Sequence, residues 1–316
     1  MRWLLLVSAV FLVNGKLTRE ENKKRLDTCG KGSGPWMWAL TDNRGDRLMA
    51  ATPISPRHFI TYSMTLLTRN RKWIHSRESI DKNFHNEYAI VEIPSEVLTL
   101  LRFAPLDKLN DTSYKPPVVV KGYFLGLCSD FVKQQFWFGH APMILEVKND
   151  LGVDYPCAKK QEVKVGDLAE TWRLYPFGRV YHYDIKISLL YKIEFAVPMF
   201  GKDLTYDRGG AVVQKFDGRW IMTGMSGASM HVSEYPTQRP FTKLSHFMDD
   251  ICQVSGVCDP SMPFPEPDPV IEKKNEQSGT SGKSGKEETK EEQAENVTMT
   301  KGTGVVLMMV FAYLWK

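Results

Sequence analysis

Side chains able to move a proton or attack a carbonyl are present but poorly arranged along the chain. Seven histidines occur, at positions 58, 75, 85, 140, 182, 231 and 246. Imidazole is the side chain whose ordinary pKa falls between pH 5 and 8, so each is a candidate base or metal ligand. None stands in a His-Glu-x-x-His or other paired metal spacing. His85-Asn86-Glu87 has the His-x-Glu of a zinc deaminase without its cysteine pair. Cys128 and His140 lack the local signature of a cysteine nucleophile and its base. Each histidine is therefore expected at the surface or in a satisfied structural role. Ser63 and Ser226 are the hydroxyls that a displaced hydrolase centre could use, but no orienting set is visible around them. No metal or cofactor is expected. Asn110-Asp111-Thr112 and Asn296-Val297-Thr298 are glycosylation acceptors, so Asn110 and Asn296 matter if the chain is secreted.

The elements that must hold these groups are mostly strands. Of 316 residues, 42% are hydrophobic and 25% charged, with 16 Phe, 12 Tyr and 8 Trp. That composition supports a sizeable core and excludes disorder over the whole chain. Residues 36–40 and 47–52 read as a hairpin with a longer loop. Residues 211–215 and 219–225, joined through Asp217-Gly218, read as a tight hairpin. Residues 88–93 and 118–125 are further strands. Many short strands favour a sandwich or barrel. Thr18-x-x-Glu21 is a capping box opening a helix toward Asp27. Leu244, Phe247, Met248 and Ile251 form one apolar stripe, which predicts a docked helix over about 243–252.

The two ends differ from this middle. Arg2 followed by an apolar run over 3–13, with Val13 and Gly15 three and one positions ahead of Lys16, reads as a secretory signal peptide over 1–15. Residues 265–302 carry nine Asp/Glu and six Lys, and read as a disordered Ser/Gly/Glu/Lys-rich linker. Residues 303–316 are a short apolar tail. A polar spacer followed by such a tail resembles the signal for a glycolipid anchor, with a short tail anchor and an unprocessed end as alternatives. The net charge of +4 thus averages a −3 linker and a mildly basic middle over 16–264. No basic run or aromatic-basic interleaving points to nucleic acid. Secretion would allow disulfides among Cys29, Cys128, Cys157, Cys252 and Cys258, whose pairing spacing alone leaves open.

Three fragments of the middle, taken in order, carry a resemblance. Pro35-Trp36-Met37-Trp38-Ala39-Leu40 followed by residues 50–61 resembles the first two strands of trypsin-like serine proteases. Asp207-Arg208-Gly209-Gly210 resembles the family's Gly-Asp-Ser-Gly-Gly nucleophile segment, and the closing helix also matches. The stretch from Thr18 to Cys258 looks closer still to a nematode branch of degenerate trypsin-like domains. Its marks are Glu20-Glu21-Asn22-Lys23-Lys24-Arg25-Leu26 leading into Cys29-Gly30, and Ile54-Ser55-Pro56-Arg57-His58. The resemblance implies an all-β fold of two six-stranded antiparallel β-barrels with a C-terminal helix and a cleft between the barrels.

It also implies that the catalytic triad is degenerate. The histidine position is Met64, which has no nitrogen to titrate; the aspartate position is Glu87; the nucleophile position is Arg208, whose guanidinium stays protonated. Lys202 falls at the floor of the specificity pocket, Tyr206 replaces the glycine of the oxyanion hole, and Asp207 keeps the carboxylate that in the family meets a new amino terminus. Lys202, Tyr206, Asp207 and Arg208 would line the old cleft. The expectation is a secreted or surface-anchored, extracellular protease homologue. It would hold a protein or peptide ligand without cutting it, bind no nucleic acid, and could attach to a membrane through its tail. A weakly active or relocated serine hydrolase is the alternative, and a display domain on a stalk is a third reading.

Overall fold

The computed structural model describes residues 15–42, 49–62, 90–125, 142–175, 178–198, 208–227 and 238–266. Fifteen strands form two curled sheets. The first contains β1 (Trp38–Asp42), β2 (Met49–Pro53), β3 (His58–Tyr62), β4 (Val91–Glu92), β5 (Leu101–Pro105), β6 (Val119–Phe124) and β7 (Pro142–Val147), in the order β4-β6-β7-β3-β2-β1-β5. The second contains β8 (Cys157–Ala158), β9 (Leu168–Leu174), β10 (Val180–Lys186), β11 (Leu189–Leu190), β12 (Glu194–Pro198), β13 (Ala211–Phe216), β14 (Arg219–Ser226) and β15 (Gln238–Lys243). Its order is β10-β9-β13-β14-β15-β12-β11, with β8 lying parallel to β14 and every other pairing antiparallel. Without the two-residue strands β4, β8 and β11, each sheet keeps six strands. This is the all-β architecture expected of two trypsin-like barrels.

Local sequence explains the hairpins. Asp217 and Gly218 both take positive φ, 48° and 76°, as the two-residue turn joining β13 to β14 requires. The first hairpin pairs Trp38 with Ala51 and Leu40 with Met49. Thr18 caps α1 (Arg19–Thr28): its hydroxyl accepts from the Glu21 amide while the Glu21 carboxylate accepts from the Thr18 amide. The predicted closing helix begins later than its apolar stripe. Residues 245–247 form a 3₁₀ turn, and the α-helix, α3, runs from Met248 to Ser255 and ends on Gly256 in the left-handed region. Between them in sequence lies a one-turn helix, α2 (Ser95–Leu98).

Three buried clusters make up most of the core. One fills the first sheet around Phe59, Phe103, Phe124 and Leu145; another fills the second around Phe195, Val212 and Phe241. The largest joins the two sheets, bringing Ile54, Ile60 and Tyr62 together with Trp172, Val213, Met222 and the α3 residues Met248 and Ile251. Helix α3 packs against β7 of the first sheet. Two disulfides close the structure, Cys29–Cys157 and Cys252–Cys258. Cys128 lies outside the described residues.

Candidate functional site

Among the residues expected to line the old cleft, Arg208 is described; Met64, Glu87, Lys202, Tyr206 and Asp207 lie outside the described residues, as do Ser63 and Asn296. Arg208 opens a three-residue segment wedged between the sheets. Its carbonyl accepts from the Ala50 amide on β2 at 3.1 Å. The Gly209 amide donates to the Ser226 carbonyl on β14 at 2.8 Å, and the Ser226 amide returns a bond of 2.8 Å to the Gly210 carbonyl. The Thr52 hydroxyl donates to the Gly209 carbonyl at 2.9 Å. Main chain from both sheets thus fixes residues 208–210.

Gly209 is needed at that point for two reasons. Its φ is +93°, and a Cβ there would stand 2.2 Å from the Ala50 carbonyl oxygen and 2.7 Å from the Thr61 hydroxyl. Thr61 is itself occupied, donating to Ala50 O at 2.7 Å. The segment therefore follows a tight, glycine-dependent backbone path and carries a guanidinium at residue 208. Arginine has five N–H donors and no lone pair to attack with.

Polar groups surround this segment. The Tyr62 hydroxyl hydrogen-bonds the Thr242 hydroxyl, and burial raises the Tyr62 pKa, so the phenol stays protonated. Ser226 is 2% exposed, and its hydroxyl accepts from Arg239 Nη2 at 3.4 Å. No described histidine hydrogen-bonds it. Among the described residues Ser226 thus has neither the access nor the base that a relocated nucleophile needs.

His58 occupies a structural position. His58 is 1% exposed. Its Nδ1 meets the Ser55 hydroxyl at 2.8 Å and its Nε2 meets the Gly15 carbonyl at 3.1 Å. A carbonyl can only accept, so Nε2 carries the proton and Ser55 donates to Nδ1. Burial and the neighbouring Arg57 push the His58 pKa down to about 3, leaving the ring neutral. His246 is lowered by burial and by Lys192 and Lys243.

His182 on β10 lies beside Trp172 and its Nε2 donates to the Glu170 carboxylate at 2.9 Å, with Asp184 at 3.9 Å. The ligand atoms of Glu170, His182 and Asp184 all fall within 4.8 Å of one another on the exposed side of the β9–β10 pair. Sequence spacing hides this trio because the cross-strand register, which sets Asp184 opposite Glu170, brings it together. It is the one place among the described residues where a cation would find three donors.

Residues that carry the family resemblance form one largely buried polar anchor. Arg57 pairs with both carboxylate oxygens of Glu21, at 2.9 and 3.1 Å, joining α1 to the turn before β3. The Arg57 guanidinium holds the Glu21 carboxyl below its usual range, against the opposing effect of burial. Asn22 and Arg25, also on α1, reach the Cys252–Cys258 loop: Arg25 Nη2 donates to the Cys258 carbonyl at 2.8 Å and Nε to Asn22 Oδ1 at 2.8 Å. Arg25 is 1% exposed, and burial lowers its pKa to about 10, so it remains a cation. The helix docks through these polar contacts instead of an apolar stripe; Asn22 and Arg25 are its buried residues. Their charged surroundings in the sequence gave no sign of burial. Asn110 is exposed on the loop after β5, open to modification.

The profile of the nematode trypsin-6-like family matches residues 2–258. No curated protein sequence matches the chain.

Proposed function

The chain belongs to the nematode trypsin-6-like family, and on that premise we propose that it is a secreted or surface-anchored protease homologue that binds a protein or peptide without hydrolysing it. The observation that carries this reading is Arg208. The backbone bonds from β2 and β14 hold residues 208–210 on a glycine-dependent path, and the residue presented there is a guanidinium. In a comparable triad enzyme, loss of the nucleophile or base alone costs about a millionfold in turnover. Methionine at position 64 would remove the base as well. A cation carried on that loop suits a ligand that brings a carboxylate, such as an acidic side chain or a peptide carboxyl terminus. The leader expected over 1–15, the exposed Asn110 and the two disulfides support an extracellular setting.

A relocated hydrolase centre at Ser226 is disfavoured by that residue's burial and its Arg239 partner. The test is hydrolysis of peptide and ester substrates by the purified secreted chain. No turnover above buffer is expected. Turnover that disappears in Arg208→Ala would overturn the proposal.

A further inference from the structure

The buried anchor contains a carboxylate that accepts no hydrogen bond from the described residues. Glu146 on β7 is 6% exposed. It lies in a cross-strand row, opposite His58 of β3 on one side and Lys121 of β6 on the other. Its nearest cation is Arg57, with Nε 3.8 Å away, and its carboxylate accepts no hydrogen bond among the described residues. The Nη atoms of Arg57 are committed elsewhere, to Glu21 at 2.9 Å and toward Asp150 at 3.6 Å, and its Nε, which faces Glu146, stays beyond hydrogen-bond distance of it. Burial pushes the Glu146 pKa up to about 7, against the pull of Arg57 and Lys121. Three carboxylates, those of Glu21, Glu146 and Asp150, thus share two cations, and the most buried of the three is the worst served.

The chain segment that covers this carboxylate is 15–17. Gly15 is buried, and a Cβ on it would stand 2.3 Å from Glu146 Oε2 and 2.9 Å from Lys121 Cδ. The next residues are held in place: Arg57 Nη2 donates to the Lys16 carbonyl at 3.3 Å, and the Leu17 amide donates to the Ser255 carbonyl at the end of α3 at 2.8 Å. Gly256 is pressed against Leu17, where a Cβ would meet the Leu17 carbonyl oxygen at 2.4 Å. The Gly15–Lys16 bond, where the leader is expected to be cut, therefore lies directly over Glu146.

We propose that the α-ammonium of Lys16, made when the Gly15–Lys16 bond is hydrolysed, binds Glu146 and locks the mature amino terminus into the first barrel. Water adds across the peptide bond: Gly15 leaves with the new carboxylate, and the Lys16 nitrogen takes up protons to become an ammonium. That group supplies a hydrogen-bond donor to Glu146 and adds a positive charge to the one that Arg57 brings within 3.8 Å. Departure of the Gly15 carbonyl frees His58 Nε2. Neutral imidazole then carries its proton on Nδ1, donating to Ser55, and accepts at Nε2 from the same ammonium. This site is built from Glu146, His58 and Ser55, and is different from Asp207, the carboxylate that the trypsin-like resemblance assigns to a new terminus. It rests on the chain entering the secretory route, and is independent of whether the chain hydrolyses anything.

The test uses the full chain secreted from eukaryotic cells. The mass of the amino-terminal peptide is expected to begin at Lys16; a start elsewhere overturns the proposal. At pH 7 the Lys16 α-amine of the folded protein is expected to resist reductive methylation that modifies surface lysines. Modification as fast as in denaturant overturns it. A leader exchange that leaves Gly15 in front of Lys16 is expected to lower the thermal midpoint by about 3–6 °C in the wild type and to have no effect in Glu146→Gln. An equal loss in both backgrounds, or in neither, overturns it. The methylation experiment needs no variant, so it decides the matter if Glu146→Gln fails to fold.

Discussion

The amino-terminal anchor and the segment 208–210 both join distant parts of the fold, but by opposite means. Around Glu21, Arg25, Arg57 and His58 the joining is done by side chains, each bonded to a named partner and all but Glu21 buried. Between the sheets at 208–210 it is done by main-chain amides and carbonyls, with Thr52 the contributing hydroxyl. A region built on side chains fixes the identity of those side chains. A region built on backbone fixes glycine at 209 and leaves the loop's path intact whatever side chain residue 208 carries. The contrast explains how the loop at 208–210 keeps its path with an arginine at residue 208.

That comparison can be broken by substitution. Arg57→Ala should cost about 3–5 kcal/mol, because it removes one partner of a largely buried ionic group and leaves Glu146 without its nearest cation. Chemical denaturation measures it, and a loss under about 1 kcal/mol would show that the anchor contributes little. Gly209→Ala should cost about 2–4 kcal/mol, from the positive φ and the collision with the Ala50 carbonyl. A neutral result would mean that the segment is not pinned as described.

His58 gives a pH signature to the side-chain region alone. Its folded pKa of about 3 lies below the ordinary 6.5, so its contribution is complete above pH 6.5 and is lost as pH falls toward 3. The slope is about 1.4 kcal/mol per pH unit. His58→Gln should flatten that part of the unfolding profile, whereas Gly209→Ala should leave it unchanged. Glu146 titrates in the opposite sense in the unprocessed chain: with its pKa raised from 4.5 to about 7, its contribution is complete below 4.5 and is lost as pH rises through 7. The two slopes oppose each other between pH 4.5 and 6.5, so His58→Gln is best compared with Glu146→Gln. The smallest effect is expected for Arg208→Ser. Backbone bonds hold the loop, so the change in stability should stay within about 1 kcal/mol, and restoring the hydroxyl without a base at 64 should restore no turnover.

Features that depend on near neighbours were legible in the sequence. The capping box at Thr18 and Glu21 and the Asp217-Gly218 turn are spelled out within four residues, and both are present in the structure. The helix stripe from Leu244 to Ile251 gave the docked face but not the start, because a 3₁₀ turn satisfies the same apolar spacing for its first three residues. Disulfide pairing was open because Cys29 and Cys157 are 128 residues apart. The anchor was illegible for a different reason: Asn22, Arg25, Arg57 and His58 look like surface residues by composition, and their burial depends on partners far away in sequence. The Glu170–His182–Asp184 trio depends in the same way on strand register. The old cleft was read from the trypsin-like resemblance, and of its expected lining Arg208 is the residue whose surroundings can be described.

The central claim is that the protease-like frame holds a ligand and performs no acyl transfer. Its most direct test is reaction of the purified secreted protein with a fluorophosphonate probe, followed by mass spectrometry of the labelled peptides, with an active trypsin-like enzyme treated in parallel. The account predicts labelling of the active enzyme and no stoichiometric label on any serine of this chain, Ser63 and Ser226 included. Stoichiometric modification of a single serine that is lost on unfolding would contradict it.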